Sequence, residues 1–282
     1  MKKTVKTLQE MKQNGEKIAQ ITCYDHTTAS IFERAGIDMI LVGDSLGMTM
    51  QGYQDTLPVT VDEMIVYGRS VCRACHETFV TVDMPFMSYQ ISAAQALENA
   101  GRIMKETGAA SVKLEGGKGV CPQIKAITDA GIPVVAHIGM TPQSVNAMGG
   151  FKVQGKGEEN ARRVFEDALA VQEAGAFAVT LECVPPHLAS LITESLDIIT
   201  IGIGAGSECD GQVLVWQDMM GLFDKTPKFV RRFAEVGAQM ESAVKDYMSA
   251  VKDSSFPTAD HTFAKSDCSD EFYKKLKEET NR

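Results

Sequence analysis

Asp44, Asp83, Glu115, His137 and Glu182 each stand at the C-terminal end of a short apolar run. They are separated by 39, 32, 22 and 45 residues, each the length of one strand, one helix and a variable loop. Three carboxylates brought together repel unless a cation or protons intervene. An all-oxygen donor set, with no Cys/His cluster beside it, suits a hard cation such as Mg²⁺. Asp44 and Asp83 read as direct ligands, and Glu115 as a ligand either directly or through a water. Ser45 offers a hydroxyl and a backbone N–H next to Asp44. Lys113 lies two residues before Glu115, so both side chains leave a strand on the same face. A lysine buried there is costly unless it meets the acids or an anionic substrate. His137 can donate a hydrogen bond or relay a proton. Glu182 is the best placed free carboxylate to act as a general base. Tyr24 and His26 are weaker candidates. The chemistry that fits is carbanion formation on a 2-oxo acid: a chelated cation draws charge from the carbonyl, the base removes the neighbouring hydrogen, and the carbon attacks an electrophile.

Such residues need a scaffold that gathers strand ends. Short branched runs at 18–23, 38–42, 79–82, 110–114, 133–136, 177–181, 197–201 and 212–216 read as buried strands. Helices are expected over 4–14, from Asp25 to about 35, from Thr60 or Asp62 to about 76, and over 92–107, 118–130, 158–174, 186–195 and 228–252. Eight strands alternating with helices predict an α/β fold of the (β/α)₈ TIM-barrel type, with a short N-terminal helix and a polar C-terminal tail. The expected division is one catalytic domain over 1–263 and a tail over 264–282. An open doubly wound sheet is the competing fold. No GxGxxG follows the first strand, and Gly202-Ile-Gly-Ala-Gly206 after the seventh is too weak a substitute. The loops over 48–58 and 140–156 are long enough to carry function.

The chain has 282 residues, 44% of them hydrophobic, and a net charge of −9. The absence of a basic cluster argues against a nucleic-acid partner. No apolar run reaches the 18 residues of a membrane span, and the N-terminus lacks a signal-peptide core. Seven scattered cysteines suit a reduced, cytoplasmic protein. Cys72-Arg-Ala-Cys75 reads as one face of a helix, since no second pair or histidine set accompanies it.

Beyond these readings, the chain closely resembles the ketopantoate hydroxymethyltransferase family. The resemblance rests on Thr22-Cys-Tyr-Asp25, Val42-Gly-Asp-Ser-Leu-Gly47, Thr56-Leu-Pro-Val-Thr60, Val82-Asp-Met-Pro85, Val112-Lys-Leu-Glu-Gly116, Ala136-His-Ile-Gly139, Gly149-Gly-Phe-Lys-Val-Gln-Gly155, Leu181-Glu-Cys-Val-Pro185, Thr200-Ile-Gly-Ile-Gly-Ala-Gly206, and Phe256-Pro257 with His261. It implies a TIM-barrel enzyme of pantothenate biosynthesis that moves a hydroxymethyl group from 5,10-methylenetetrahydrofolate to 3-methyl-2-oxobutanoate, giving 2-dehydropantoate. It implies Mg²⁺ at Asp44, Asp83 and Glu115, substrate contacts from Asp44, Ser45, Asp83 and Lys113, and Glu182 as proton acceptor. It implies a cytoplasmic homo-oligomer, a decamer in many members. Gln217 departs from the family, where histidine is frequent, so a titrating role there is not expected.

Three rivals to this reading remain. A related Mg²⁺-dependent lyase or mutase barrel would act on a 2-oxo acid without folate. A class I aldolase would use Lys113 as a Schiff-base nucleophile. A scaffold barrel would have no turnover.

Overall fold

The computed structural model describes residues 2–263 and 267–280. The strands are β1 Ile18–Thr22, β2 Met39–Val42, β3 Phe79–Asp83, β4 Ser111–Glu115, β5 Val134–Gly139, β6 Ala178–Glu182, β7 Ile199–Ile203 and β8 Gly211–Leu214. The helices are α1 Val5–Gln13, α2 His26–Ala35, α3 Leu46–Thr49, α4 Val61–Cys72, α5 Ala93–Thr107, α6 Cys121–Asp129, α7 Val145–Met148, α8 Glu158–Glu173, α9 Pro186–Ser195, α10 Trp216–Met219, α11 Val236–Lys252 and α12 Asp270–Thr280. The eight strands close into a barrel in sequence order, every neighbouring pair parallel. This is the TIM barrel that the alternation of elements predicts.

Local signals set the element ends. Asp25 accepts the Thr28 N–H at 2.9 Å and starts α2, and Gly36 stops it in the left-handed region at φ 81°. Thr60 and Glu63 form a reciprocal capping box on α4, and Ser92 caps α5. These caps place each helix directly after its loop, so the loops are left to shape the rim.

The barrel is plugged at its N-terminal end. Leu8 of α1 is fully buried with Ile18, Met39, Phe79, Phe177, Ile199 and Val213, which line the strand starts. Lys12 of α1 binds the carbonyls of Leu196 and Ile198 at 2.9 and 2.7 Å and the Asp210 carboxylate at 3.0 Å. A second apolar cluster fills the space between strands and helices. Closing one end leaves the C-terminal strand ends as the open end. We expect Leu8→Ala to cost about 2–5 kcal/mol, the usual range for emptying a core leucine site. Urea unfolding of the variant checks this.

The chain divides into two compact units, residues 1–233 and 234–282. All eight strands lie in the first, whereas the expected catalytic domain ran to 263. The second carries α11, with Tyr247 and Phe256 in edge contact, and α12 inside the expected tail. Residues 264–266 and 281–282 of that tail lie outside the described residues. The helix expected over 228–252 begins at Val236. Residues before it form a turn, with the Val230 N–H on the Pro227 carbonyl at 3.0 Å, and the Phe233 N–H returns to Met219 at 2.7 Å. The eighth strand ends at Leu214 rather than 216, because Trp216 opens α10. The long loops hold α3 and, after β5, the 3₁₀ turn Pro142–Ser144 followed by α7.

Candidate active site

A cavity of about 270 Å³ opens at the C-terminal ends of the strands. Asp44, Ser45, Asp83, Lys113, Glu115, His137 and Glu182 all line it. Strand register explains the convergence. Asp83 pairs with Lys113 across β3 and β4, Glu115 with His137 across β4 and β5, and Glu182 with Gly139 across β5 and β6. Partners in register share a level, and alternate residues share a face. Gly139 makes the last pairing possible: its φ is 92°, and a Cβ there would lie 2.4 Å from the Glu182 carbonyl oxygen. A side chain at 139 would force β5 and β6 apart where His137 and Glu182 meet.

The charged groups form one connected network, joined where Lys113 Nζ lies 3.5 Å from His137 Nδ1. Lys113 Nζ is 2.7 Å from Asp83 Oδ1, and both side chains are almost fully buried. Asp83 Oδ2 accepts the Asp44 N–H at 3.0 Å. His137 Nδ1 lies 3.4 Å from Glu115 Oε1, and its Nε2 lies 3.2 Å from Glu182 Oε2. Tyr24 and Ser45 share a hydrogen bond at 2.8 Å between their hydroxyls. Burial, and then the charges of Asp83 and Glu115, push the Asp44 carboxyl up to about 8. Burial also raises Asp83, against the pull of Lys113. Burial opposes the charge on Lys113, but Asp83, Glu115 and Asp44 outweigh it and hold the ammonium above its usual range. Burial and Lys113 oppose protonation of His137, and the adjacent Glu115 and Glu182 carboxylates prevail, lifting it to about 9.

Sequence reasoning missed four contributors. Gln143, on the turn after β5, is buried and touches both Asp44 and Glu115. Tyr89 is buried behind them, its hydroxyl 2.7 Å from Gln143 Oε1. Asp218 and Phe229 line the cavity mouth, and burial raises the Asp218 carboxyl. Of these, only Gln143 had a signal, the length of the loop it sits on. Among the weaker candidates, Tyr24 is buried against Ser45, whereas His26 is exposed at the start of α2. Gln217 is buried, with its amide nitrogen 3.4 Å from Met50 Sδ, and does not line the cavity. Cys72 and Cys75 are free thiols, raised by burial to about 11 and 12, so neither is a ready nucleophile. A larger hollow of about 480 Å³ is lined by Gly116, Gly117, Arg163 and Asp167 and holds none of the predicted site residues.

Among the described residues no three Asp, Glu, His or Cys side chains are already gathered as a metal-ligand set. The donor chemistry nevertheless fits a hard cation. Three buried carboxylates on neighbouring strands face one lysine, and their mutual repulsion is visible in the raised Asp44. Asp83 Oδ1 is buried and near Lys113, yet has no well-directed hydrogen bond. An oxygen in that state is what a cation takes, and an added positive charge would relieve the repulsion.

A closed parallel barrel with an acid-lysine-histidine site at its strand ends belongs to the class of (β/α)₈ enzymes. Solved structures agree on the fold. A 2,3-dimethylmalate lyase, described as a PEP mutase/isocitrate lyase superfamily member, superposes with a TM-score of 0.60 at 16% identity, covering 100% of this chain and 98% of that one. A phosphonopyruvate hydrolase in complex with oxalate and Mg++ superposes with a TM-score of 0.58 at 11% identity, covering 92% and 93%. The family model of ketopantoate hydroxymethyltransferase matches residues 2–259. The 3-methyl-2-oxobutanoate hydroxymethyltransferase of Clostridium novyi (strain NT) is 57% identical over 264 residues, 93% of this chain and 96% of the relative. That of Enterococcus faecalis (strain ATCC 700802 / V583) is 54% identical over 268 residues, 95% and 98%. The chain belongs to the ketopantoate hydroxymethyltransferase family, a family of transferases.

Proposed function

We propose that this protein transfers a hydroxymethyl group from 5,10-methylenetetrahydrofolate to 3-methyl-2-oxobutanoate. Water enters, and 2-dehydropantoate and tetrahydrofolate leave. Family membership supports the reaction. The observation that carries the residue roles is the convergence of Asp44, Asp83, Lys113, Glu115, His137 and Glu182 on one cavity. Asp44, Asp83 and Glu115 would hold Mg²⁺. Bound there, a divalent cation supplies Lewis acidity toward the carboxylate and keto oxygens of the substrate. Lys113 offsets the charge that the carboxylates and an anionic substrate accumulate, and Ser45 donates a hydrogen bond at the same rim. Glu182 takes the C3 proton, with His137 at 3.2 Å to steady the carboxylate. The carbon left with the electron pair forms the new C–C bond to the one-carbon unit. Phe151 and Phe229 give the mouth an apolar rim.

The same reading makes the protein a cytoplasmic homo-oligomer, a decamer if the assembly of many family members is kept. Light scattering after gel filtration tests the subunit number.

The test of function is deuterium exchange at C3 of 3-methyl-2-oxobutanoate in D₂O, followed by NMR. We expect exchange that needs Mg²⁺, stops with EDTA and returns when Mg²⁺ is restored. Product is expected only with methylenetetrahydrofolate present. Turnover of a 2-oxo acid by C–C cleavage without folate would instead favour a lyase. Persistence of exchange in EDTA would exclude the cation.

A further inference from the structure

We infer that Gln143 is a positioning residue that sets the spacing of the acidic ligands before any cation arrives. The inference rests on the cation reading above, and adds a residue to it.

Gln143 enters the site from outside the strand framework, on the 3₁₀ turn Pro142–Ser144. Its backbone N–H donates to Glu115 Oε2 at 2.9 Å. Its side-chain nitrogen lies 2.8 Å from Asp44 Oδ2 and 3.0 Å from the Met84 carbonyl. Glu115 ends β4, and Asp44 follows β2, so Gln143 spans two strands that are not neighbours, with β3 between them. It therefore holds one oxygen of each of two acids that electrostatics would push apart.

The orientation of the amide is determined by its surroundings. A backbone carbonyl can only accept, so the atom facing Met84 must be the NH₂ group. Its two hydrogens then go to Met84 and Asp44. The opposite end, Oε1, accepts from the Tyr89 hydroxyl at 2.7 Å and from Gln90 Nε2 at 3.2 Å. The Tyr89 hydroxyl in turn accepts the Glu115 backbone N–H at 3.1 Å. Every polar atom of the amide has a partner, and all the atoms named are buried or half-buried. A flipped amide would set its oxygen against a carboxylate and a carbonyl, so only one arrangement is tolerated. The site thus contains a neutral clamp that fixes two acids without adding charge. A lysine or arginine here would fix them too, but would compete with a cation for the same negative charge. Neutrality combined with two donors is what distinguishes a positioning role.

Partners of this kind typically carry 10–100-fold in metal affinity. The probe is Mn²⁺, whose free concentration is read by electron paramagnetic resonance, with full-length protein and no substrate. Gln143→Leu, which keeps the bulk and the backbone N–H to Glu115 but loses the side-chain donors to Asp44 and Met84, is expected to raise the Mn²⁺ dissociation constant by roughly 10–100-fold. Tyr89→Phe, which keeps the ring and leaves the amide oxygen only its contact with Gln90, is expected to raise it several-fold in the same direction. Leu8→Ala loosens the far end of the barrel and serves as the control: its Mn²⁺ affinity is expected to match the unsubstituted protein. If Gln143→Leu does not fold, Tyr89→Phe decides. Unaltered Mn²⁺ affinity in a folded Gln143→Leu, or in Tyr89→Phe when that variant decides, overturns the inference and leaves the cation reading standing. A weakened Leu8→Ala overturns it as well, since general loosening would then explain the effect. If the unsubstituted protein takes up no Mn²⁺, the cation reading and this inference fall together.

Discussion

Asp83→Asn is expected to lower divalent-cation affinity by about 10²-fold or more while leaving the cation-free protein close to its original stability. The first half follows from the donor set: an amide keeps the shape of the carboxylate but loses the charge that a hard cation selects. The second half is less intuitive, because Asp83 forms a buried ion pair with Lys113 at 2.7 Å. Breaking such a pair ordinarily costs about 3–5 kcal/mol, since the remaining charge is stranded. Here it is not stranded. Glu115 and Asp44 also favour the Lys113 ammonium, and burial weighs against the Asp83 charge more than Lys113 favours it. Removing one of three crowded negative charges therefore relieves about as much as it loosens. Titration calorimetry with Mn²⁺ and urea unfolding, run on the same preparation, separate the two effects. A variant that binds Mn²⁺ as the parent does would take Asp83 out of the ligand set. One that loses several kcal/mol without cation would make the residue structural.

Glu182→Gln should slow C3 hydrogen exchange of 3-methyl-2-oxobutanoate by roughly 10²–10⁴, the span of a positioned general base. Binding of the keto acid should be nearly unaltered. Glu182 stands two strands from Glu115 and meets the network only through His137 Nε2, 3.2 Å away. It is also less deeply buried than the other acids, 15% exposed at its side chain against 3% for Asp83 and Glu115. A carboxylate outside the cation cluster, but on the same cavity, is free to accept a proton. The amide cannot accept one, yet fills the same space. Exchange rates by NMR and keto-acid affinity by calorimetry distinguish loss of the base from loss of the pocket. Exchange at the parent rate would assign the proton transfer elsewhere.

Both residues could be read before the fold was known. Asp83 and Glu182 end apolar runs, and an acid at such a position is a local feature of the chain. So are Asp44, Lys113, Glu115 and His137, and the structure brings all six to one cavity. Closure of the barrel was legible for the same reason. Each strand-helix unit is bounded by its own caps and glycines, as at Asp25 and Gly36, and repetition of the unit dictates the architecture. The helix expected from 228 failed where a local signal was outweighed. Its polar and apolar spacing suits a helix, but Pro227 opens a turn and Phe229 is taken up by the cavity wall.

Strand chemistry, the order of the staves and the identity of the acids were properties of the chain alone, because they arise from neighbours within a few residues. Gln143 was not. Its meaning lies in Asp44, 99 residues away, and in Tyr89, 54 residues away, and a glutamine on a loop carries no mark of such partners. Only the folded chain decides which donors reach the acids and how far apart the acids are held. That spacing depends on distances between strands, which no stretch of sequence encodes by itself.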